Sequence, residues 1–338
     1  MTRPHLLIVA ASLALIQPSF AAPVAPAAAS AAALEASNPF AKVSTLPFHY
    51  PAFDKIKDAH FLPAYAAGMR AQLREIDGIA NNPKPASFEN TVVAMERSGQ
   101  LLTRVSATFS NLQGANTNDT LDAIDREMSP KLAAHNDTIF LNPKLYARVK
   151  SLYNKRASLG LDAESAYLLF RYNEDFVRAG AKLSAPDKEK LKAFNGEIAT
   201  LQTTFTQNVL KEINASALVV DTRAELAGMS EAAIEAAAAE AKKRGKDGKF
   251  VVALGNTTGQ APLAVLTNRA VRQRLMAASL ARGSHGGEFD NRTVVPRLAK
   301  LRAERAALLG YPTYAAYSLE NQTAKDQAAA NKIGRAHV

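Results

Sequence analysis

Residues 184–209 read SAPDKEKLKAFNGEIATLQTTFTQNV and carry the clearest secondary-structure signal of the chain. Ser184 and Asp187 flank Pro186 at the spacing of a capping box, with aspartate in place of the usual glutamate, so a helix is predicted to begin here. An amphipathic helix of this length predicts an antiparallel helical bundle, and we assign its apolar stripe to the core. The stripe recurs at steps of three and four residues and consists of Leu191, Phe194, Ile198, Leu201, Phe205 and Val209.

Further helices are predicted on the N-terminal side of this stretch. Residues 61–79 form one candidate helix, and the turn-forming Asn-Asn-Pro at 81–83 ends it. Ser87 is expected to cap the next helix, on which Leu101, Val105, Phe109 and Leu112 recur at helical spacing. Three more helices are expected to start at Asn118 or Asp119, at Asn142 before Pro143, and at Asp162.

After Asn214 the character of the sequence changes, and a small α/β insert is predicted. It consists of a strand over residues 217–220, a helix capped by Ser230, and a second strand over residues 250–254. Helices are expected to resume over residues 263–282, 290–309 and 313–319. The predicted fold class is therefore mainly α, an antiparallel helical bundle with a small α/β insert.

The composition fits a globular protein and excludes several kinds of site. Of the 338 residues, 47% are hydrophobic and 21% are charged, and the formal net charge is +10. Because lysine and arginine alternate with acidic residues along the predicted helices, we interpret the charge as a solvated surface and expect no nucleic-acid partner. The chain has no cysteine, which excludes disulfides, thiolate metal sites and a cysteine nucleophile.

Residues 1–21 have the three regions of a secretory signal peptide. Arg3 and His5 precede an apolar run over residues 6–16, and Ser19-Phe20-Ala21 offers small residues for cleavage after Ala21. The apolar run is shorter than the roughly 20 residues that span a bilayer, although an uncleaved anchor is the alternative. Residues 22–37 are an Ala/Pro linker. We therefore expect an exported, periplasmic protein that has no membrane contact after cleavage.

The residues alone show no catalytic apparatus. No two histidines stand four apart on a helix, so no pair can present both imidazoles to one metal ion. His285 stands three residues before Glu288, but the surrounding glycines favour a flexible, solvated turn, with contact to a substrate as the alternative. Gly255–Gly259 lacks the phosphate-binding glycine patterns, and no GxSxG motif is present. No catalytic, cofactor-binding or metal-binding residue is assigned. The histidines are His5, His49, His60, His135, His285 and His337.

Residues 289–319 read FDNRTVVPRLAKLRAERAALLGYPTYAAYSL and combine an Asp-Asn N-terminal signal, an amphipathic basic helix and a Leu-Leu-Gly-Tyr-Pro stop. This run resembles the peptidyl-dipeptidases of the thimet-oligopeptidase family of zinc metallopeptidases. Other stretches resemble the same family, in the same order along the chain. They include NPF at 38–40, STLP at 44–47, SFENT at 87–91, RSGQLLTRV at 97–105, SLGLD at 158–162, AGAKL at 179–183 and GMSE at 228–231.

The resemblance implies a two-lobed helical zinc peptidase with a deep channel between the lobes, of which this chain is the front portion. Such enzymes remove dipeptides from the C-termini of oligopeptides, and a full-length enzyme of this type is expected to be a monomer. In the family an HExxH helix and a later glutamate bind one zinc ion. None of these residues maps onto this chain. The zinc is therefore expected to be bound by a missing C-terminal half, and the fragment itself is expected to be inactive.

The resemblance also suggests domain boundaries. Residues 38–250 are assigned to an N-terminal helical domain, and residues 251–332 to the truncated start of the catalytic domain. Residues 333–338 read IGRAHV and resemble a translated sequencing adapter, so we expect a non-native tail, with a naturally short protein as the alternative. Helices from Leu263 onward are expected to leave apolar faces unpaired.

Two other functions remain open. One is an oligopeptidase that cleaves internal bonds of short peptides, and the other is a non-enzymatic helical protein that binds peptides. An HExxH helix beyond Lys332 would favour an enzyme, and its loss would favour a binding protein.

Overall fold

The computed structural model describes residues 34–255 and 259–335. The predicted signal peptide at 1–21 lies outside the described residues, as do most of the linker at 22–37 and the last three residues of the predicted tail at 333–338. The described residues form a mainly α fold, as predicted. Their α-helices are α1 (Phe61–Ala80), α2 (Ala94–Glu96), α3 (Gln100–Asn116), α4 (Asp119–Phe140), α5 (Pro143–Asn154), α6 (Ala163–Arg178), α7 (Ala185–Ala215), α8 (Glu231–Lys243), α9 (Arg269–Leu280), α10 (Val294–Leu308), α11 (Tyr314–Leu319) and α12 (Gln327–Arg335).

Most of the predicted helix starts are confirmed, because each depends on a local hydrogen bond. The side chain of Asn118 accepts from the Leu121 N–H at 2.9 Å, and this bond begins α4. Asn142 begins α5 in the same way, with Pro143 at the first helical position. Asp162, Ser184 and Ser230 cap α6, α7 and α8.

The segment after Ser87 is not the single helix that was predicted. Ser87 Oγ accepts from the Asn90 N–H at 3.1 Å, but the turn that follows is a wide π-helical turn over Glu89–Val93. The chain then turns at Gly99, whose φ is +73°. Glycine adopts this left-handed conformation without the clash that a Cβ would cause, and α3 begins directly after it.

The long helix α7 packs against α4 on one side and α10 on the other. Its buried face is more polar than predicted, since Thr203, Gln207 and Glu212 are buried while Phe205 is 38% exposed. Gln207 donates to the Asp122 carbonyl at 2.8 Å, and Thr203 shares a hydrogen bond with Ser129. The assignment of Phe205 to the core is therefore wrong, because hydrogen bonds between α4 and α7 occupy that interface.

The α/β insert is confirmed as a two-stranded antiparallel sheet. Strand β1 (Leu218–Val220) pairs with β2 (Phe250–Val252), with Val219 opposite Val251. The helix predicted over residues 263–282 is shorter than expected, because a 3₁₀ turn over Ala261–Ala264 precedes it. Asn268 then caps α9 by accepting from the backbone N–H groups of residues 270 and 271.

Three apolar clusters hold these elements together. One lies among α1, α5 and α6, a second among α1, α3 and α4, and the third around the small sheet and α9. In the second cluster Phe61 lies edge-to-face with Phe109 at 5.1 Å between ring centroids. Several apolar side chains of the last third of the chain are exposed: Val265, Met276, Leu280, Val295 and Ile333.

Within the part of the chain that the structure describes, every helix is too short or too polar to cross a bilayer. The boundary between the predicted domains at 38–250 and 251–332 stays a prediction.

Candidate functional site

The four histidines of the described residues each contact a different group. His49 is exposed and its Nδ1 lies 2.9 Å from the Ser44 carbonyl, while His60 accepts a backbone hydrogen bond within its own turn. His135 is buried on α4, and its Nε2 lies 2.7 Å from Gln72 Oε1. Burial lowers the pKa of His135, since a charged imidazole there would lose its water. His5 and His337 lie outside the described residues.

His285 lies in the loop between α9 and α10, and helix α7 holds it in place. Its Nδ1 bonds to the carboxylate of Glu212, and the same carboxylate accepts from the Gly283 N–H. Glu212 is only 5% exposed. The turn is solvated, as predicted, since residues 284–288 are exposed, but a buried carboxylate binds it at His285 and Gly283. A carboxylate at Nδ1 orients the ring and directs Nε2 away from α7.

Asn291 fastens the far end of the same loop. It is buried, its N–H donates to the Gly283 carbonyl at 2.8 Å, and its side-chain amide donates to the Phe205 carbonyl at 3.2 Å. Its neighbour Asp290 pairs with Arg292, and these hydrogen bonds hold the pKa of Asp290 down at about 2. The loop therefore serves to join α9 and α10 to α7. The Gly255 end of the predicted glycine turn is bound as well, since its N–H donates to Gln260 at 2.8 Å.

A cavity of about 480 Å³ opens between α4, α7 and α10, with α11 at its rim. Asp137 of α4, Asn195 of α7 and Arg305 of α10 form a hydrogen-bonded series in its wall. Asn195 donates to Asp137 Oδ1 at 2.7 Å, and Arg305 Nε donates to Asn195 Oδ1 at 2.7 Å. Arg302 also lines the cavity, with its guanidinium 5.4 Å from the centroid of the Tyr314 ring. The remaining wall includes the apolar residues Ala133, Phe140, Ala179, Ile198 and Ala199.

Asp137 is the most unusual group in this wall. It is 7% exposed, and its second oxygen, Oδ2, is buried with no hydrogen-bond partner among the described residues. Burial raises the pKa of Asp137, while the hydrogen bond from Asn195 and the charges of Arg305 and Lys192 act in the opposite direction. Sequence reasoning missed this site, because Asp137, Asn195 and Arg305 belong to three different helices and form no local motif.

The buried carboxylate makes the stability of the protein depend on pH. Because the pKa of Asp137 is higher in the folded chain than its ordinary 3.8, folding favours the protonated form. The stabilisation is fully present below the unfolded pKa and is lost as the pH rises through the folded pKa. Asp137→Asn, which removes the charge, is therefore expected to raise the free energy of unfolding at pH 7 by about 1 kcal/mol.

Urea unfolding of wild type and Asp137→Asn at pH 7 and pH 4 measures this effect. The gain should shrink at pH 4, where a larger fraction of the wild-type carboxyl is protonated than at pH 7. Asp247→Asn, on an exposed turn, is the matched control and should change little at either pH. Equal destabilisation by Asp137→Asn at both pH values would contradict the account.

The sequence is similar to that of known proteins. Residues 263–336 match the model of peptidase family M3. Dipeptidyl carboxypeptidase of Escherichia coli K12 is 44% identical over 293 residues, which are 87% of this chain and 43% of that protein. Its counterpart in Salmonella typhimurium LT2 is 42% identical over 302 residues, 89% of this chain and 44% of that protein. The chain therefore contains a segment that matches peptidase family M3, and most of its length is similar to dipeptidyl carboxypeptidases. The resemblance predicted from the sequence is thereby confirmed.

Other relatives are more distant. Oligopeptidase A of Escherichia coli K12 is 26% identical over 288 residues, which are 83% of this chain and 42% of that protein. The chain thus spans less than half the length of the curated relatives it matches. The segment that matches the M3 model contains the His285 loop, α10 and the two arginines of the cavity, while Asp137 and Asn195 precede it.

The zinc ion that the similarity to M3 peptidases implies does not fit the side chains described here. Within residues 34–255 and 259–335, no group of three or more histidine, aspartate or glutamate side chains could hold a metal ion. His285 has Glu212 as its partner, and Glu288 does not complete a ligand set with them.

Proposed function

We propose that this protein acts as a zinc metallopeptidase of the peptidyl-dipeptidase type, which hydrolyses oligopeptides and releases C-terminal dipeptides. The single observation that carries the proposal is the 44% identity to dipeptidyl carboxypeptidase over 87% of the chain. The identity to oligopeptidase A is 26%, which favours release of dipeptides over cleavage of internal bonds. In this proposal the substrates are oligopeptides.

The described helices would serve as the scaffold of such an enzyme. Zinc would be held by residues outside those described here, because the described side chains offer no suitable ligand set. The tie between Glu212 and the His285 loop would fix α9 and α10 relative to the long helix α7. A rigid scaffold matters for a peptidase, since peptide bonds are cleaved only when substrate and catalytic groups are held in a narrow range of positions.

The test uses the whole protein, expressed from its native gene, and a blocked heptapeptide with a free C-terminus. Mass spectrometry should detect release of the C-terminal dipeptide first, followed by the next dipeptide. The same peptide with a C-terminal amide should be cleaved much more slowly, and a zinc chelator should abolish cleavage of both. Initial cleavage at internal bonds, equal for the free and amidated peptides, would instead indicate an oligopeptidase. Peptide binding without cleavage would indicate a non-enzymatic binding protein.

We also propose that the protein is exported to the periplasm and functions as a monomer. Support for export comes from the charged, apolar and small-residue regions within residues 1–21. Sequencing the N-terminus of the protein recovered from the periplasmic fraction should give Ala22 as the first residue. Recovery in the cytoplasm with Met1 in place would contradict export. Light scattering after gel filtration should give the mass of a single chain, and a larger mass would contradict the monomer.

A further inference from the structure

The cavity between α4, α7 and α10 contains charged groups that packing alone does not explain. Its volume, about 480 Å³, lies within the range of pockets that bind small molecules. Such pockets combine apolar walls with a few convergent polar groups, and this one has Phe140 and Ile198 beside Asp137, Arg302 and Arg305. These features of the cavity are independent of the proposed peptidase activity.

On the acidic side of the cavity, one of the two oxygens of Asp137 lacks a hydrogen-bond donor among the described residues. Asp137 Oδ1 accepts from Asn195, but Oδ2 is buried without a partner among the described residues. A buried carboxylate oxygen without a partner is costly, and such groups concentrate at binding sites. Because Oδ2 is covered by its neighbours, a ligand reaches it only after the carboxylate turns about its Cβ–Cγ bond. That torsion is broad in aspartate, so the turn is a small rearrangement.

The basic side of the cavity has unused donors. Arg305 uses Nε for Asn195, and its guanidinium lies 4.9 Å from the centroid of the Tyr317 ring. Arg302 lies over the Tyr314 ring and has no hydrogen bond or ion pair with any described residue. Two guanidinium groups one helical turn apart on α10 suit a carboxylate, which accepts several N–H bonds at once. Asn195 separates the acidic group from Arg305, because it binds one with its amide nitrogen and the other with its oxygen.

We propose that this cavity binds a small zwitterion of amino-acid to dipeptide size, with its ammonium group at Asp137 and its carboxylate at Arg302 and Arg305. The ammonium gives Asp137 Oδ2 the donor that it lacks. The carboxylate occupies the guanidinium N–H groups that have no protein partner. The apolar wall at Phe140 and Ile198 contacts the side chain of the ligand.

Titration calorimetry on the full chain tests the two charged ends separately. The probes are L-alanyl-L-leucine, its N-acetyl derivative, its C-terminal amide, and L-leucine. The unmodified dipeptide should bind saturably, and loss of either charge should weaken binding by about tenfold or more. Binding of L-leucine in place of the dipeptide would restrict the site to amino acids. Absence of saturable binding by both unmodified probes, or equal binding of the blocked dipeptides, would overturn the proposal.

Two variants connect the binding to the cavity. Asp137→Asn keeps the shape of the side chain. It should lower the affinity for the dipeptide about tenfold and leave the affinity for the N-acetyl derivative unchanged. Arg302→Gln should lower the affinity for the dipeptide and leave the affinity for its C-terminal amide unchanged. Arg302 is preferred to Arg305 here because Arg305 also bonds to Asn195. Asp247→Asn and Arg156→Gln, on exposed turns, are the matched controls. Unaltered dipeptide affinity in both cavity variants would overturn the proposal.

Discussion

Replacement of Phe176 by alanine is expected to lower the free energy of unfolding by about 3–5 kcal/mol. Phe176 lies on α6 and is completely buried. Its ring centroid lies 5.1 Å from that of Phe140 and 5.8 Å from that of Tyr146, so the ring joins α6 to α4 and α5. The truncation removes the ring from all of these contacts and leaves a cavity that the surrounding helices cannot close.

Urea unfolding followed by far-UV circular dichroism measures this loss. Phe176→Leu keeps most of the volume and should cost about 1.5 kcal/mol, which gives an intermediate point if the alanine variant folds poorly. The matched control is Phe205→Ala on α7. That ring is 38% exposed, so the expected cost is about 1 kcal/mol. If Phe176→Ala lost no more stability than Phe205→Ala, the assignment of Phe176 to the core would be contradicted.

Gly228→Ala is expected to lower the free energy of unfolding by about 3 kcal/mol or more, because backbone strain and a steric clash add. Gly228 has a φ of +97°, a conformation that a side chain disfavours. An added Cβ would also lie 2.0 Å from the carbonyl oxygen of Val265. The backbone cannot move away easily, since the Thr267 N–H donates to the Ala227 carbonyl at 2.8 Å and fastens the two segments together.

The control for this prediction separates strain from steric clash. Gly245 follows α8 with a φ of +64°, and an added Cβ there would meet no atom within 4 Å. Gly245→Ala should therefore cost only the conformational penalty, about 1–2 kcal/mol. Thermal unfolding of both variants gives the comparison. Equal losses of stability in the two variants would contradict the close approach of Gly228 to the segment at 265–267.

Much of the secondary structure could be predicted because its signals are local. The caps at Asn118, Asn142 and Ser184 bond to backbone N–H groups two or three residues away, so their effect is independent of the rest of the fold. The two strands of the insert were predicted for a similar reason, since β-branched runs are bounded by turn residues. Errors arose where a single residue changed the path of the chain, as the left-handed Gly99 does before α3.

The family resemblance was also available from the sequence, because it rests on short motifs in order along the chain. The charges of the cavity were not. Asp137, Asn195 and Arg305 lie on three separate helices, and no local pattern connects them. His285 likewise gave no sign of its partner, since Glu212 lies 73 residues earlier in the chain.

The sequence by itself therefore determined most of the helices, the capped starting residues of several of them, the small sheet and the resemblance to a peptidase family. Only the tertiary structure decided that α7 presents a polar face to α4 and that a buried glutamate holds the His285 loop. It also placed Asp137, one oxygen of which has no partner among the described residues, in a cavity wall that Arg302 and Arg305 share. The physical reason is the range of the interactions. A cap or a helical repeat acts within one turn of chain, whereas the environment of a buried charge is set by every helix that packs around it.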